Sequence, residues 1–211
     1  MKAVNKFNPK KIASLARKND MVLIEKQENE YLILVDFNNC FILDDEEYKE
    51  FKEKYNSYKN VCTIPSLELY EHIVKIDKQW NYNDFKNEYL PSKVIANYND
   101  IVKEGYQLKD YKECNIIIDN NIIYNADQIG WIGIDKDILD YIPNKIGLHF
   151  YQSKIYIVNN NGIIGYIQSG DHKQFNKHMK ALVTNVGKRN KQIDENIAND
   201  DKIINGVENV A

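Results

Sequence analysis

Apolar residues spaced three and four apart predict a helix near the start of the chain. Asn8 followed by Pro9 indicates where this helix begins, because asparagine caps helices and proline fits the first helical position. The helix is predicted over residues 9–19, with Ile12 and Ala16 on its apolar face. An amphipathic helix of this length needs a core to pack against.

Strands are predicted directly after this helix. Residues 21–25 and 31–35 are β-rich and are separated by a polar segment, which predicts a hairpin, and residues 40–43 add a third strand. Asp44 then opens a second amphipathic helix that runs to Tyr55. The acidic residues at its start would stabilise the positive end of the helix dipole. The alternative interpretation is a metal site formed by paired carboxylates.

The pattern after Pro65 indicates where the chain divides. Leu69, Ile73 and Ile76 have helical spacing and predict a third helix. The polar, aromatic-rich connector at residues 80–91 is the predicted domain boundary. It separates an N-terminal half at residues 1–90 from a C-terminal half at residues 91–189, followed by a polar, mobile tail at residues 190–211.

The second half repeats the order helix, strands, helix. The predicted segments are a helix through Ile101, strands at 115–118 and 122–124, a helix opened by Asp135, a strand at 147–151, a hairpin of 155–158 with 163–167 turning at Asn161 and Gly162, and a helix at 171–186. The expected fold class is therefore α+β, built from two helix-strand-helix halves.

Composition argues against a membrane protein and indicates the type of organism that encodes the chain. The chain has 211 residues, 43% of them hydrophobic, and a net charge of −3, and it contains no apolar run long enough for a membrane helix. Lysine far outnumbers arginine, which is typical of AT-rich coding sequence and favours a low-GC bacterium or its phages. We expect a cytoplasmic protein that does not contact a membrane.

Metal, cofactor and catalytic signatures are missing from the sequence. Cys40, Cys62 and Cys114 are widely spaced and are predicted to be buried, reduced thiols. His172 and His178 are six residues apart and point to different sides of a helix, which disfavours metal chelation. No phosphate-binding loop, nucleophile elbow or zinc-hydrolase motif occurs. We expect a non-catalytic protein without a metal or cofactor.

The repeated order, together with the pattern of residues 30–43, 123–129 and 155–168, resembles phage sliding-clamp-like proteins. The resemblance covers residues 9–168 in outline. It implies short helices along one side of a curved sheet, self-association into a closed homo-oligomeric ring, and a role as a DNA-replication accessory.

A clamp needs basic helices that face double-stranded DNA. The nucleic-acid-binding residues predicted on this basis are Lys10, Lys11, Arg17 and Lys18, which lie mostly off the apolar face of the first helix. A solvated helix face explains the same pattern. The alternative function is an inhibitor from a phage or mobile element that binds a host defence protein, in the manner of anti-CRISPR proteins, because an acidic, tyrosine-rich surface suits protein partners.

Overall fold

A computed structural model describes residues 6–76, 78–82, 86–108, 117–118, 120–126, 129–143 and 146–169. The helix predicted at 171–186, the tail at 190–211, and Cys114, His172 and His178 lie outside the described residues. The described part contains both helices and a large antiparallel sheet, which confirms the α+β class.

The helices in the described part are short. They are α1 (Pro9–Lys18), α2 (Asp45–Asn56), α3 (Pro91–Val94), α4 (Tyr98–Glu104) and α5 (Lys136–Leu139), with a 3-10 turn at Asn87–Tyr89. The strands are β1 (Val22–Lys26), β2 (Glu30–Val35), β3 (Asn39–Asp44), β4 (His72–Ile76), β5 (Gln79–Tyr82), β6 (Tyr106–Gln107), β7 (Ile117–Ile118), β8 (Asn121–Ala126), β9 (Gly130–Asp135), β10 (Gly147–Tyr151), β11 (Lys154–Asn159) and β12 (Gly162–Gln168).

The strands form two sheets. Nine of them pair in the order β5-β4-β1-β2-β3-β12-β11-β10-β6, and β7, β8 and β9 form a separate three-stranded sheet. Both faces of the large sheet are covered, so its central strands are buried on both sides, as in β2. Helices α1 and α2 and the small sheet contribute to the core on one face, whereas Leu90 and Ile101 belong to the core on the other.

Local sequence explains the first two helices. The side chain of Asn8 accepts hydrogen bonds from the backbone N–H groups of Lys10 and Lys11, so the predicted cap is confirmed. At α2, Asp44 and Glu47 form a capping box, in which each side chain accepts from the other residue's backbone N–H. These acids therefore stabilise a helix start.

The helix predicted after Pro65 is wrong. Residues 72–76 form β4, and β5 follows it after two residues within the predicted connector. The spacing of Leu69, Ile73 and Ile76 suggests a helical face, but Leu69 and Ile76 are exposed. The β-rich run from Ile73 to Val74 pairs with β1 instead, because tertiary pairing outweighs a three-residue apolar pattern.

The two predicted halves contribute strands to one sheet. Strand β12 pairs with β3, and Gly165 lies opposite Phe41 at this junction. A Cβ atom at Gly165 would lie 2.4 Å from the carbonyl oxygen of Cys40, so the close approach of the two strands requires glycine here. The helix, strands, helix order occurs in both halves, but β1 to β3 belong to the large sheet and β7 to β9 form the small one.

Candidate anion-binding site

The four basic residues predicted on the first helix are all exposed, but they do not face the same surroundings. Lys11 and Lys18 line a pocket together with Asp137 and Asp140. The ammonium of Lys11 also donates to the backbone carbonyl of Asp140 at 3.4 Å. On this side of α1, the pocket therefore contains two lysines and two carboxylates, whose charges compensate each other.

Arg17 faces a different pocket. Lys10 and Arg17 are seven residues apart, which places them about 20° apart around the helix. Arg17 lines a cavity of about 240 Å³ between the C-terminal ends of α1 and α2 and the β4–β5 turn. We call this cavity the basic pocket, and its main lining residues are Arg17, Tyr55, Lys59, Cys62, Lys75 and Lys78.

Lys75 lies at the floor of the basic pocket because of strand alternation. In β4, Lys75 lies on the same side as Ile73, facing α1 and α2, and it pairs with Val22 on β1 and with Trp80 on β5. A lysine thus stands where the pattern favours an apolar residue, and it is only 5% exposed. Positions that break the local pattern in this way are frequently functional.

The ammonium of Lys75 is only partly satisfied. It donates one hydrogen bond, of 2.8 Å, to the backbone carbonyl of Ala16 at the end of α1, and it lies 5.8 Å from the ring centroid of Tyr55. An ammonium has three N–H donors, so two remain without a protein acceptor among the described residues. Burial lowers the pKa of Lys75, and the charge of Asp20 opposes that change.

Tyrosine side chains hold the cations in place. The guanidinium of Arg17 and the ammonium of Lys54 lie 4.7 Å and 4.6 Å from the ring centroid of Tyr58. The hydroxyl of Tyr58 is 2.6 Å from that of Ser14 on α1. Tyr58 therefore links the two helix ends. Burial raises the pKa of Tyr55 to about 12, so its hydroxyl in the pocket wall stays protonated at neutral pH.

Two rim residues have left-handed backbone conformations. Asn60 has a φ of 62°, which asparagine tolerates, and Lys78 has a φ of 69°, in a two-residue hairpin turn where glycine is preferred. Lys78 makes no hydrogen bond or ion pair with the described residues. The same left-handed conformation occurs in other turns of the described chain, at Asp36, Phe37, Gln152 and Ser153, so at Lys78 it follows from the tight hairpin turn.

The charge balance of the basic pocket is positive. Arg17, Lys59, Lys75 and Lys78 supply four positive charges. Against them stand Asp20, which acts on Lys75, and two helix C-termini of about half a negative charge each. Counted over the described residues alone, the excess is about two positive charges. Asp77, which precedes Lys78, lies outside the described residues.

Acidic groups are concentrated at the opposite end of α2. Lys6 forms ion pairs with Asp44 and Glu47 there, and within the described ranges no carboxylate forms an ion pair with a cation of the basic pocket. Although the net charge of the chain is −3, charge is unevenly distributed along α2: acidic residues lie at its start and basic residues lie at and beyond its end.

The described cysteines, Cys40 and Cys62, differ in burial, and the described residues offer no group of metal ligands. Cys40 is fully buried as predicted, and burial raises the pKa of its thiol, whereas Cys62 is exposed beside the basic pocket, so its predicted burial is wrong. In the part of the chain that the structure describes, no three His, Cys, Asp or Glu side chains form a metal-ligating group.

Sequence reasoning found Arg17 but missed the rest of the basic pocket. Lys59 follows α2, while Lys75 and Lys78 come from β4 and the turn after it. One signal was present, a lysine inside the apolar run His72–Ile76, but it has meaning only if this run is read as a strand.

No known protein family, curated protein or solved structure matches this chain. Among the described helices, none has both the length and the apolar character needed to cross a lipid bilayer. The chemistry of the basic pocket is therefore the strongest indication of function.

Proposed function

We propose that this chain is a non-catalytic nucleic-acid-binding protein that contacts the phosphate backbone of DNA through the basic end of α1 and α2. A clamp-like accessory of phage DNA replication is the role that we favour. The proposal rests on one observation: the four cations that line the basic pocket form no ion pair with a described carboxylate.

Neighbouring cations extend this surface beyond the pocket. Lys10 lies on the same side of α1 as Arg17, and Lys54 contacts the same Tyr58 ring as Arg17. A set of lysines and arginines held by tyrosine rings and helix ends binds phosphates without reading bases, because the energy comes from counterion release. Affinity for DNA should therefore fall steeply as salt is raised.

The test compares two double charge reversals on the same protein. Arg17→Glu with Lys59→Glu removes cations of the basic pocket, whereas Lys11→Glu with Lys18→Glu changes the net charge equally on the side that contains Asp137. Binding of a fluorescent 20-base-pair duplex is measured by anisotropy from about 50 to 200 mM salt.

We expect the pocket variant to lose at least about tenfold in affinity and the control to lose less, because nearby carboxylates already compensate its lysines. Absence of duplex binding by the wild-type protein at 50 mM salt would contradict the proposal. Equal losses in both variants would show that net charge, and not the basic pocket, controls binding.

The clamp-like role also predicts self-association. Strands β5 and β6 stand at the two ends of the nine-stranded sheet, and each pairs on one side only within the described part. Pairing between copies would close a ring. Light scattering at high protein concentration should show a homo-oligomer. A monomer would leave backbone binding possible but remove the clamp-like role.

Exposed aromatic side chains favour a second candidate, an inhibitor that binds a host defence protein. Tyr70, Tyr82 and Tyr98 are 59%, 47% and 40% exposed, and aromatic residues are enriched at protein interfaces. A pull-down from host lysate separates the candidates. Recovery of replication proteins supports the clamp-like role, and recovery of a nuclease or immunity protein supports the inhibitor.

A further inference from the structure

We propose that the basic pocket binds a terminal phosphate monoester, such as the phosphorylated end of a nucleic-acid strand, with Lys75 donating its two remaining N–H groups to phosphate oxygens. This inference deepens the proposed DNA-backbone binding and rests on it for the nature of the ligand. A free nucleotide carries the same phosphate monoester group as the phosphorylated end of a strand.

The position of Lys75 favours a group with a free end. Its ammonium lies at the pocket floor, 2.8 Å from the carbonyl of Ala16, and the residue is 5% exposed. A phosphate within a strand carries a sugar on each side, and these sugars hold it at the surface. A terminal phosphate carries one sugar only, so its three free oxygens can enter the pocket and reach Lys75.

The size of the pocket is consistent with this ligand. Its volume of about 240 Å³ is well below the 630 Å³ of the pocket on the other side of α1. It is also well above the space that a single bound water needs. A phosphate group with a few waters therefore fits in the pocket, whereas several nucleotides of a nucleic-acid strand do not.

The charge of the pocket matches a dianion. Over the described residues, the pocket has an excess of about two positive charges, which would neutralise the charge of about −1.5 to −2 on a phosphate monoester at pH 7. A diester carries a single negative charge and would leave Lys75 or a rim cation uncompensated. The rim cations Arg17, Lys59 and Lys78 come from three separate segments, so they surround the opening rather than form one line.

The experiment uses the full chain and two single-stranded 12-mers of identical sequence, one with a 5′-phosphate and one with a 5′-hydroxyl, both labelled at the 3′ end. We expect the phosphorylated strand to bind about tenfold more tightly or better, since two charge-assisted hydrogen bonds are added. Inorganic phosphate and AMP should compete with it, and the 5′-hydroxyl strand should compete less.

Lys75→Met should abolish the preference for the 5′-phosphate, because it removes the ammonium while keeping most of the length of the side chain. Lys52→Met is the matched control, because Lys52 also donates to a backbone carbonyl, that of Pro65 at 3.1 Å, outside the basic pocket. If Lys75→Met does not fold, Lys59→Gln provides the test, since Lys59 is exposed at the rim. It should reduce the preference for the 5′-phosphate.

The two proposals fail in different ways. Equal binding of both 12-mers overturns the terminal-phosphate site and leaves backbone binding in place. Failure of both 12-mers and of the 20-base-pair duplex to bind, with AMP still bound in a Lys75-dependent manner, overturns nucleic-acid binding and supports the monoester site. Failure of the duplex, both 12-mers, AMP and inorganic phosphate to bind overturns both proposals.

Discussion

Replacing Lys78 with glycine should affect stability and phosphate binding in opposite directions. Lys78 has a φ of 69° and is exposed. An L-residue in this left-handed region costs about 1–2 kcal/mol, which glycine avoids. Glycine also makes the unfolded chain more flexible, at a cost of about 0.4–1 kcal/mol.

The difference between these two effects gives a net gain in the free energy of unfolding of roughly 0.5–1 kcal/mol for Lys78→Gly. For a chain of this size, that gain raises Tm by about 1–4 °C. Phosphate binding should weaken by about 1.5- to 5-fold, the range for removing one exposed charge that faces an anion.

Urea unfolding followed by circular dichroism measures the first effect, and anisotropy with the 5′-phosphorylated strand measures the second. Asn60→Gly is the matched control, because Asn60 has a φ of 62° at the same rim but carries no charge. Its stability should change little and its phosphate affinity should not change. A loss of stability above about 0.5 kcal/mol in Lys78→Gly would refute the reasoning from backbone strain.

Three further predictions concern the fold. Burial disfavours the charged form of Asp44, but hydrogen bonds from Lys6 and from the α2 backbone outweigh it and hold its pKa below 3.8; Asp44→Ala should cost about 1 kcal/mol at pH 7. That contribution is present above pH 3.8 and is lost as pH falls through the lowered pKa, so urea melts of the two proteins should converge in acid. Gly165→Ala should cost about 1–3 kcal/mol in the same assay, because the new Cβ meets the carbonyl of Cys40; an unchanged midpoint would contradict this close contact. Removing residues 190–211 should cost less than about 1 kcal/mol, and a larger loss would show that the tail packs on the fold.

Local signals predicted much of the first half. Asn8 before Pro9 and Asp44 with Glu47 each act within one helical turn, so the starts of α1 and α2 can be read without knowing the fold. The Asn161–Gly162 signal is local in the same way and predicts the hairpin of β11 and β12, although the turn itself is Asn160 and Asn161 and Gly162 begins β12.

Errors arose where a short segment depends on a distant partner. Residues 72–76 carry too few apolar positions to separate helical from strand spacing, and pairing with β1 and β5 makes them a strand. The strand β9 was not predicted either, because Gly130 and Gly133 weaken a strand pattern that pairing with β8 then stabilises.

The sequence by itself determined the α+β class, the caps of α1 and α2, and the exposure of Lys10, Lys11, Arg17 and Lys18, because these follow from neighbours within a few residues. Only the tertiary structure decided which charges meet. It placed Asp140 beside Lys11, and it brought Lys75 and Lys78 to Arg17 across more than fifty residues of chain. Charges act through distance in space, and the packing of α1 against the large sheet sets that distance here.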